Sequence, residues 1–273
     1  MNKSDLISTL AISRTMKISR REALKQICVL AGSLWFPACS FTTRQTLSLP
    51  PADSLPSPKK NKTIALLGAT GMAGGYILRE ALVQGYDIRA LARTPAKLDA
   101  LKNQITVIKG DARDLSSIQE LLQGSDIVIS ALGPVHTDGD AAKNICTVAT
   151  GHIIQVMHQQ NIKRYILVSG AGLAMPGDHR DLKGWLIKTL AQLALAEAMQ
   201  DKEAEYRLLE KCDIQWTLVR CPLIDPEPFE HAAEASLVTP GSFRLRAGEL
   251  ARFVIEQIDT LEYIRKGPFL GSL

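Results

Sequence analysis

Aromatic residues are scarce in this chain: Phe, Trp and Tyr together make up 5% of 273 residues. No basic patch interleaved with aromatics appears, which excludes the stacking platforms used to bind nucleic acid. The five cysteines lack zinc-type spacing, and their odd number does not suggest a disulfide framework. Two of them, Cys28 and Cys39, fall in an N-terminal segment set apart from the rest. Cys212 and Cys221 bracket an expected strand whose extended length holds them too far apart to bridge, so these two and Cys146 read as buried free thiols. No cluster of metal ligands, no internal repeat and no apolar run long enough to span a bilayer is visible. The formal net charge is +4, and much of the excess sits at Lys3, Arg14, Lys17, Arg20, Arg21 and Lys25. It is therefore not a nucleic-acid surface. Hydrophobic residues at 46% leave ample material for a core.

What is present starts with Lys62 to Gly75, KTIALLGATGMAGG. The apolar run Ile64 to Leu67 ends in Gly68, Gly71 and Gly74, and a helix-compatible run begins at Met72. Strand, glycine turn and helix together bring backbone N–H groups, and the positive end of a helix dipole, against a pyrophosphate. Gly68 permits the tight turn, Gly71 clears the phosphate approach, and Gly74 lets the helix pack closely. The spacing is GxxGxxG, not the more familiar GxGxxG. A second strand, Asp87 to Arg93, ends about 20 residues past the glycines, where an acidic residue ordinarily meets the adenosine ribose. An arginine there suits the 2′-phosphate of NADP in preference to NAD, and Lys97 lies one helical turn on. Otherwise Arg93 and Lys97 are two surface cations.

Alternating units follow. Pro95 to Leu101 suits a short helix, Ile105 to Lys109 a strand, Leu115 to Leu122 a helix capped by Asp114, and Asp126 to Ala131 a strand. Helical stretches from about Asp140 to Gln160 and Leu182 to Lys211 flank the strand Arg164 to Ser169. Ile214 to Arg220 is a further strand. The last helix runs from about Arg246 to Ile258, and Phe269-Leu270 adds a final strand. Such alternation requires right-handed crossovers and one parallel sheet covered on both faces. The expected fold is α/β, a Rossmann-type doubly wound parallel sheet in a single domain over residues 61–273. Pro222 to Gly241 is long enough for a small lid.

Residues 1–40 have the order of an export signal: the basic block Ser19-Arg20-Arg21-Glu22-Ala23-Leu24-Lys25, an apolar stretch from Ile27 to Phe36, then small residues. SRREALK resembles a twin-arginine motif with Ala23 in place of the usual phenylalanine. Cys39 looks like the cysteine of a loose lipobox, from which Phe36 and Pro37 depart, and would carry a lipid anchor. Residues 41–60, rich in Ser, Thr, Pro and Lys, read as a flexible linker. The expected location is the periplasm or its membrane face; the alternative is an extension on a cytoplasmic protein.

GATGMAGG, ALAR at the second strand end, GDARD at the third, SALGP at the fourth, VSGAG, DKEAEYRLLE, WTLVRCPLI and RAGELARFVIEQI resemble the atypical short-chain dehydrogenase/reductase group. Within it the chain is similar to NAD(P)H-binding, NmrA-like and biliverdin/flavin-reductase-like proteins, over residues 61 to 273. The resemblance implies an NADP(H)-dependent oxidoreductase acting on a small-molecule substrate or electron acceptor. It places Gly68, Thr70, Gly71, Met72, Ala73 and Gly74 on the pyrophosphate and Arg93 on the 2′-phosphate. Asp111 and Ala112 would lie by the adenine, Ala131, Leu132 and Gly133 on the ribose–nicotinamide side, and Ser169 and Gly170 near the nicotinamide. Taken alone, Asp111 reads as a turn residue and Ser169 as a strand-end cap.

One departure matters. Typical members of the superfamily use a tyrosine followed four residues later by a lysine, to protonate the carbonyl that receives hydride. None of Tyr76, Tyr86, Tyr165, Tyr206 and Tyr263 has that lysine. Either the substrate is reduced without a dedicated tyrosine, or the protein binds a dinucleotide without chemistry, as a redox sensor or assembly factor. Lys202 and Glu205, on one helix face, either order the site or form a solvated ion pair. Ser169 and Lys202 are the candidate catalytic pair. His136, His179 and His231, in loops near strand ends, are further proton donors to consider.

Overall fold

The computed structural model describes residues 60–134, 139–140 and 143–272. The export signal, Cys28, Cys39, all but the last residue of the linker, and His136 lie outside the described residues. In chain order the elements are β1 (Thr63–Leu67), α1 (Met72–Val83), β2 (Asp87–Ala92), a 3-10 helix (Pro95–Leu101), β3 (Thr106–Lys109), α2 (Leu115–Leu122), β4 (Ile127–Ser130), α3 (Ile145–Gln160) and β5 (Arg164–Gly170). Then come α4 (Leu182–Ala194), α5 (Ala196–Lys211), β6 (Gln215–Cys221), β7 (Leu223–Asp225), β8 (Glu234–Ser236), β9 (Arg244–Arg246), α6 (Ala247–Glu256) and β10 (Phe269–Gly271).

Eight strands form one sheet in the order β3-β2-β1-β4-β5-β6-β10-β8. Its pairings are parallel except for β8, which runs antiparallel to β10. β7 and β9 form a separate parallel pair. Strand geometry sends alternate side chains to opposite faces, and both faces are buried. Ile64, Leu66, Ile127 and Ile129 face one layer with Ile77 and Leu78 of α1 and Leu250 and Val254 of α6. Ala65, Leu67, Val128 and Leu167 face the other, with Ile118 of α2, Ile153 and Val156 of α3 and Leu209 of α5. The result is a three-layer Rossmann-type α/β fold. Strand order reverses between β1 and β4, and ligands of such sheets sit in the crevice beyond the carboxyl ends at that point.

Most element boundaries agree with the sequence expectation to within a few residues. The stretch Leu182 to Lys211 does not form one helix: it breaks at Leu195, whose backbone leaves the helical region (φ −130°, ψ 36°). No proline or glycine marks the break. Its cause is tertiary, because α5 turns so that Met199, Asp201, Lys202 and Glu205 are buried against the sheet end. The piece Pro95–Leu101 is a 3-10 helix, and the expected lid region contributes β7 and β8. Cys146 and Cys221 are buried free thiols and Cys212 is half-buried. Burial pushes the Cys146 thiol up to about 12.

Candidate dinucleotide site

The turn after β1 is built by two glycines. Gly68 has φ +81°, and a Cβ there would lie 2.6 Å from the Ala131 carbonyl oxygen after β4. A Cβ on Gly74 would lie 2.0 Å from the Gly68 oxygen, so the first turn of α1 rests against its own entry loop. Any other residue would force the two backbones apart. Gly71 is the N-cap. Its N–H bonds the Gly68 oxygen at 2.9 Å, and no side chain caps the helix. The first turn contains no acidic residue either. The N–H groups of Met72, Ala73 and Gly74 have no partner within the helix, and the dipole's positive end is not neutralised by a capping carboxylate. A turn too tight for any Cβ at Gly68 and Gly74, leading into an uncapped helix start, fits a pyrophosphate. Thr70, Gly71 and Met72 are exposed at its rim, Ala73 is half-buried and Gly74 buried.

The other expected positions end neighbouring strands on the same edge of the sheet. Arg93 follows β2 and is exposed. Asp111 follows β3, where Arg113 holds it through two bonds, Nε to Oδ1 at 2.9 Å and Nη2 to Oδ2 at 2.6 Å. Arg113, and more weakly Arg93, keep its carboxyl below the ordinary range. Asp111 is thus in part the turn residue that its local sequence indicates, with Ser117 Oγ accepting from its N–H. Ala112 is buried beside it. Ala131 and Leu132 are half-buried and Gly133 is exposed after β4. Ser169 and Gly170 end β5. Ser169 is buried, and its hydroxyl has no hydrogen-bond partner. A buried hydroxyl left unpaired is costly, so Oγ is a spare donor and acceptor at the strand end.

Lys202 reaches the backbone one residue before Ser169. Its ammonium donates to the Val168 oxygen at 3.1 Å, the Leu132 oxygen at 3.3 Å and Glu205 Oε2 at 2.9 Å. Burial opposes its charge, but Cys146 and Glu205 outweigh that and hold its pKa above the ordinary lysine value. The Lys202–Glu205 pair is therefore buried, not solvated. All three donors of the ammonium are directed to protein acceptors, which ties the ends of β4 and β5 together. Glu205 also accepts from Thr150 Oγ1 at 2.8 Å, and Thr150 shares a hydrogen bond with the Tyr165 hydroxyl at 3.0 Å.

Asp201 escaped the sequence reading. Its carboxylate, buried, accepts from the N–H of Cys146 and of Thr147 at 2.9 Å each, capping α3 from 55 and 54 residues away. The signal for this network was the spacing Met199, Lys202, Glu205, Leu209: charged residues at positions where a helix ordinarily puts its apolar stripe. A second missed cluster pins the loop after β5. Arg220, fully buried, bonds Asp178 at 2.8 Å and stacks 3.5 Å from the Phe269 ring centre, with Arg180 on the same ring and the same carboxylate. His179 and His231 are exposed, outside both networks. Among the described residues no group of His, Cys, Asp and Glu is arranged to hold a metal ion.

A family model described as NAD(P)H-binding matches residues 68–260. A photosystem II assembly factor of Synechocystis, Ycf39, is 22% identical over 77% of this chain and 62% of its own length. Plant reductases are also among the curated relatives, and the chain spans less than two fifths of the length of each. Solved structures that share the fold include a reductase and a short-chain dehydrogenase/reductase. The anaerobillin reductase ChuY of Escherichia coli O157:H7 has a TM-score of 0.64 at 20% identity, over 76% of this chain and 95% of that one. A short-chain dehydrogenase/reductase of Veillonella parvula in complex with NADP has a TM-score of 0.62 at 18% identity, over 77% and 94%.

Proposed function

The chain belongs to the NAD(P)H-binding family, and from that premise we propose that it is an NADPH-dependent oxidoreductase that reduces a small acceptor without a tyrosine acid. The observation that carries this reading is the uncapped, acid-free start of α1 in its glycine cradle, on the same sheet edge as the unpaired Ser169 hydroxyl. The N–H groups of Met72, Ala73 and Gly74, with the Thr70 hydroxyl at the rim, would hold the pyrophosphate. Arg93 would meet the 2′-phosphate, Asp111 and Ala112 the adenine side, and Ala131, Leu132 and Gly133 the ribose. When bound, the reduced nicotinamide supplies a hydride.

The chain's own part is orientation. Ser169 Oγ, beside Gly170, donates to an acceptor oxygen or to the nicotinamide side. Lys202 fixes the backbone that carries Ser169, and so acts as a positioning residue. Its three N–H bonds are each given to a protein acceptor, which leaves solvent or the acceptor itself to complete protonation.

Calorimetric titration of the protein with NADPH, NADH, NADP and NAD tests this. Tight binding of the phosphorylated pair, weakened about tenfold by Arg93→Ala, an energy of about 1.4 kcal/mol, is expected. No binding of any of the four would end the reading. A screen of flavin, quinone and carbonyl acceptors then separates it from a second reading, a dinucleotide-binding sensor or assembly factor. That reading is favoured by the missing tyrosine–lysine pair and by the Ycf39 relative. Turnover lost in Ser169→Ala would exclude it.

Export by residues 1–40, with Cys39 as a lipid site, is a separate part of the proposal and rests on Arg20-Arg21 and the apolar run after them. The double change Arg20→Lys and Arg21→Lys should retain the protein in the cytoplasm; unchanged fractionation would remove the twin-arginine reading.

A further inference from the structure

Helix α4 presents its apolar side outward. Leu182, Trp185, Leu186, Leu190 and Leu193 are between 40 and 81% exposed, and their spacing puts them on one stripe. The inward side is small: a Cβ on Gly184 would touch Thr239 and Pro240, and Ala191 sits against Gly172. The stripe continues into the loop beside it. Lys183 Nζ bonds the Gly241 oxygen and Thr239 Oγ1 bonds Asp181, and Leu237, Val238 and Phe243 of that segment are exposed. Contiguous exposed apolar residues, unlike scattered single ones, mark a contact surface for a protein, a membrane or a ligand.

Charge selects the partner. Lys183 and Lys188 stand on opposite edges of the stripe, and α4 contains no Asp or Glu. An apolar stripe with a tryptophan and flanking lysines is the pattern of a helix lying in a lipid interface, its cations among anionic headgroups. A second copy packed on α4 would bring lysines of like charge to the seam, and the one carboxylate at the helix end, the N-cap Asp181, is already engaged by Gly184 N–H and Thr239 Oγ1. Stable surface attachment takes two signals, and the sequence has another apolar run upstream, Ile27 to Phe36.

We propose that the outward face of α4, continued by Leu237, Val238 and Phe243, docks the protein on an anionic lipid surface. The docking is independent of the dinucleotide reading and leaves NADPH binding as a separate measurement.

The test is co-sedimentation of the full chain with vesicles of phosphatidylcholine and phosphatidylglycerol, and with phosphatidylcholine alone. The mixed vesicles should bind it, less so as salt rises. The double variant Leu182→Gln, Leu193→Gln should lose about tenfold in binding, and Lys188→Gln a smaller factor. Circular dichroism and NADPH affinity of the variants should match the parent, which separates lost docking from lost folding. The proposal is overturned if the double variant binds as well as the parent, which would assign lipid contact to the upstream run. It is equally overturned if the parent binds no vesicle, or if sedimentation velocity shows a dimer, without vesicle binding, that the same substitutions disperse.

Discussion

Helices α1 and α3 begin beyond the carboxyl ends of adjacent strands, β1 and β4, and their first turns are treated oppositely. At α3 the orphan N–H groups of Cys146 and Thr147 are taken by the buried Asp201 carboxylate, sent across from α5. At α1 the first turn meets neither a capping side chain nor an acidic residue, and two glycines hold the backbone in close contact with its own loop. The same dipole and the same unpaired donors thus serve two ends. Filled by a carboxylate, they stabilise the fold; left bare, they are available to an external anion. Binding capacity is here a stabilisation withheld from the folded chain.

The strongest way to break the contrast is to fill the cradle. Gly74→Ala places a Cβ 2.0 Å from the Gly68 oxygen and should cost about 3 kcal/mol or more, in the range of severe backbone and packing lesions, with NADPH binding lost. Urea unfolding and calorimetry measure both; a parental midpoint would mean the loop yields more easily than its contacts imply. Asp201→Asn strips one acceptor from the start of α3 and should cost about 1–3 kcal/mol while NADPH affinity stays at the parental value. An affinity that falls in step with stability would show that the two helix ends are not independent.

Met72→Asp gives α1 the carboxylate it lacks. Stability should rise by about 0.3–1 kcal/mol while NADPH binding weakens, so the two readings move in opposite directions. If both fall, the bare helix end is not what binds the anion.

The smallest effect sharpens the comparison through pH. Asp114 caps α2, and hydrogen bonds from Ser116 and Ser117 lower its pKa from 3.8 to about 2. A depressed folded value gives stability that is complete above about pH 4 and lost as pH falls toward about 2. Asp114→Asn should flatten that part of an unfolding-versus-pH curve. A slope that survives the change would belong to other carboxylates.

Much of this was legible in the chain. The unbroken apolar run of Ile64, Ala65, Leu66 and Leu67 marks a strand buried on both faces, Gly68 and Gly74 stand where the turn needs them, and Asp114 reads as a cap from its local context alone. These are short-range properties, carried by neighbours in sequence. Asp201 was not legible as a cap, because its helix end lies more than fifty residues away. Nor was the break at Leu195 visible, since no local breaker causes it. Lys202 and Glu205 were recognised as a pair, but exposure could not be read from their spacing, and they turned out to be buried.

The sequence by itself determined the order of strands and helices, the glycine turn after β1 and the absence of a tyrosine–lysine pair, because periodicity, backbone freedom and residue identity are local facts. Tertiary structure alone decided which helix ends are closed and which stay bare, that the Ser169 hydroxyl is left without a partner, that Lys202 clamps two strand ends, and that α4 turns its leucines outward. Each depends on which distant groups meet when the layers pack, and on the burial that sets what an unpaired charge or hydroxyl costs.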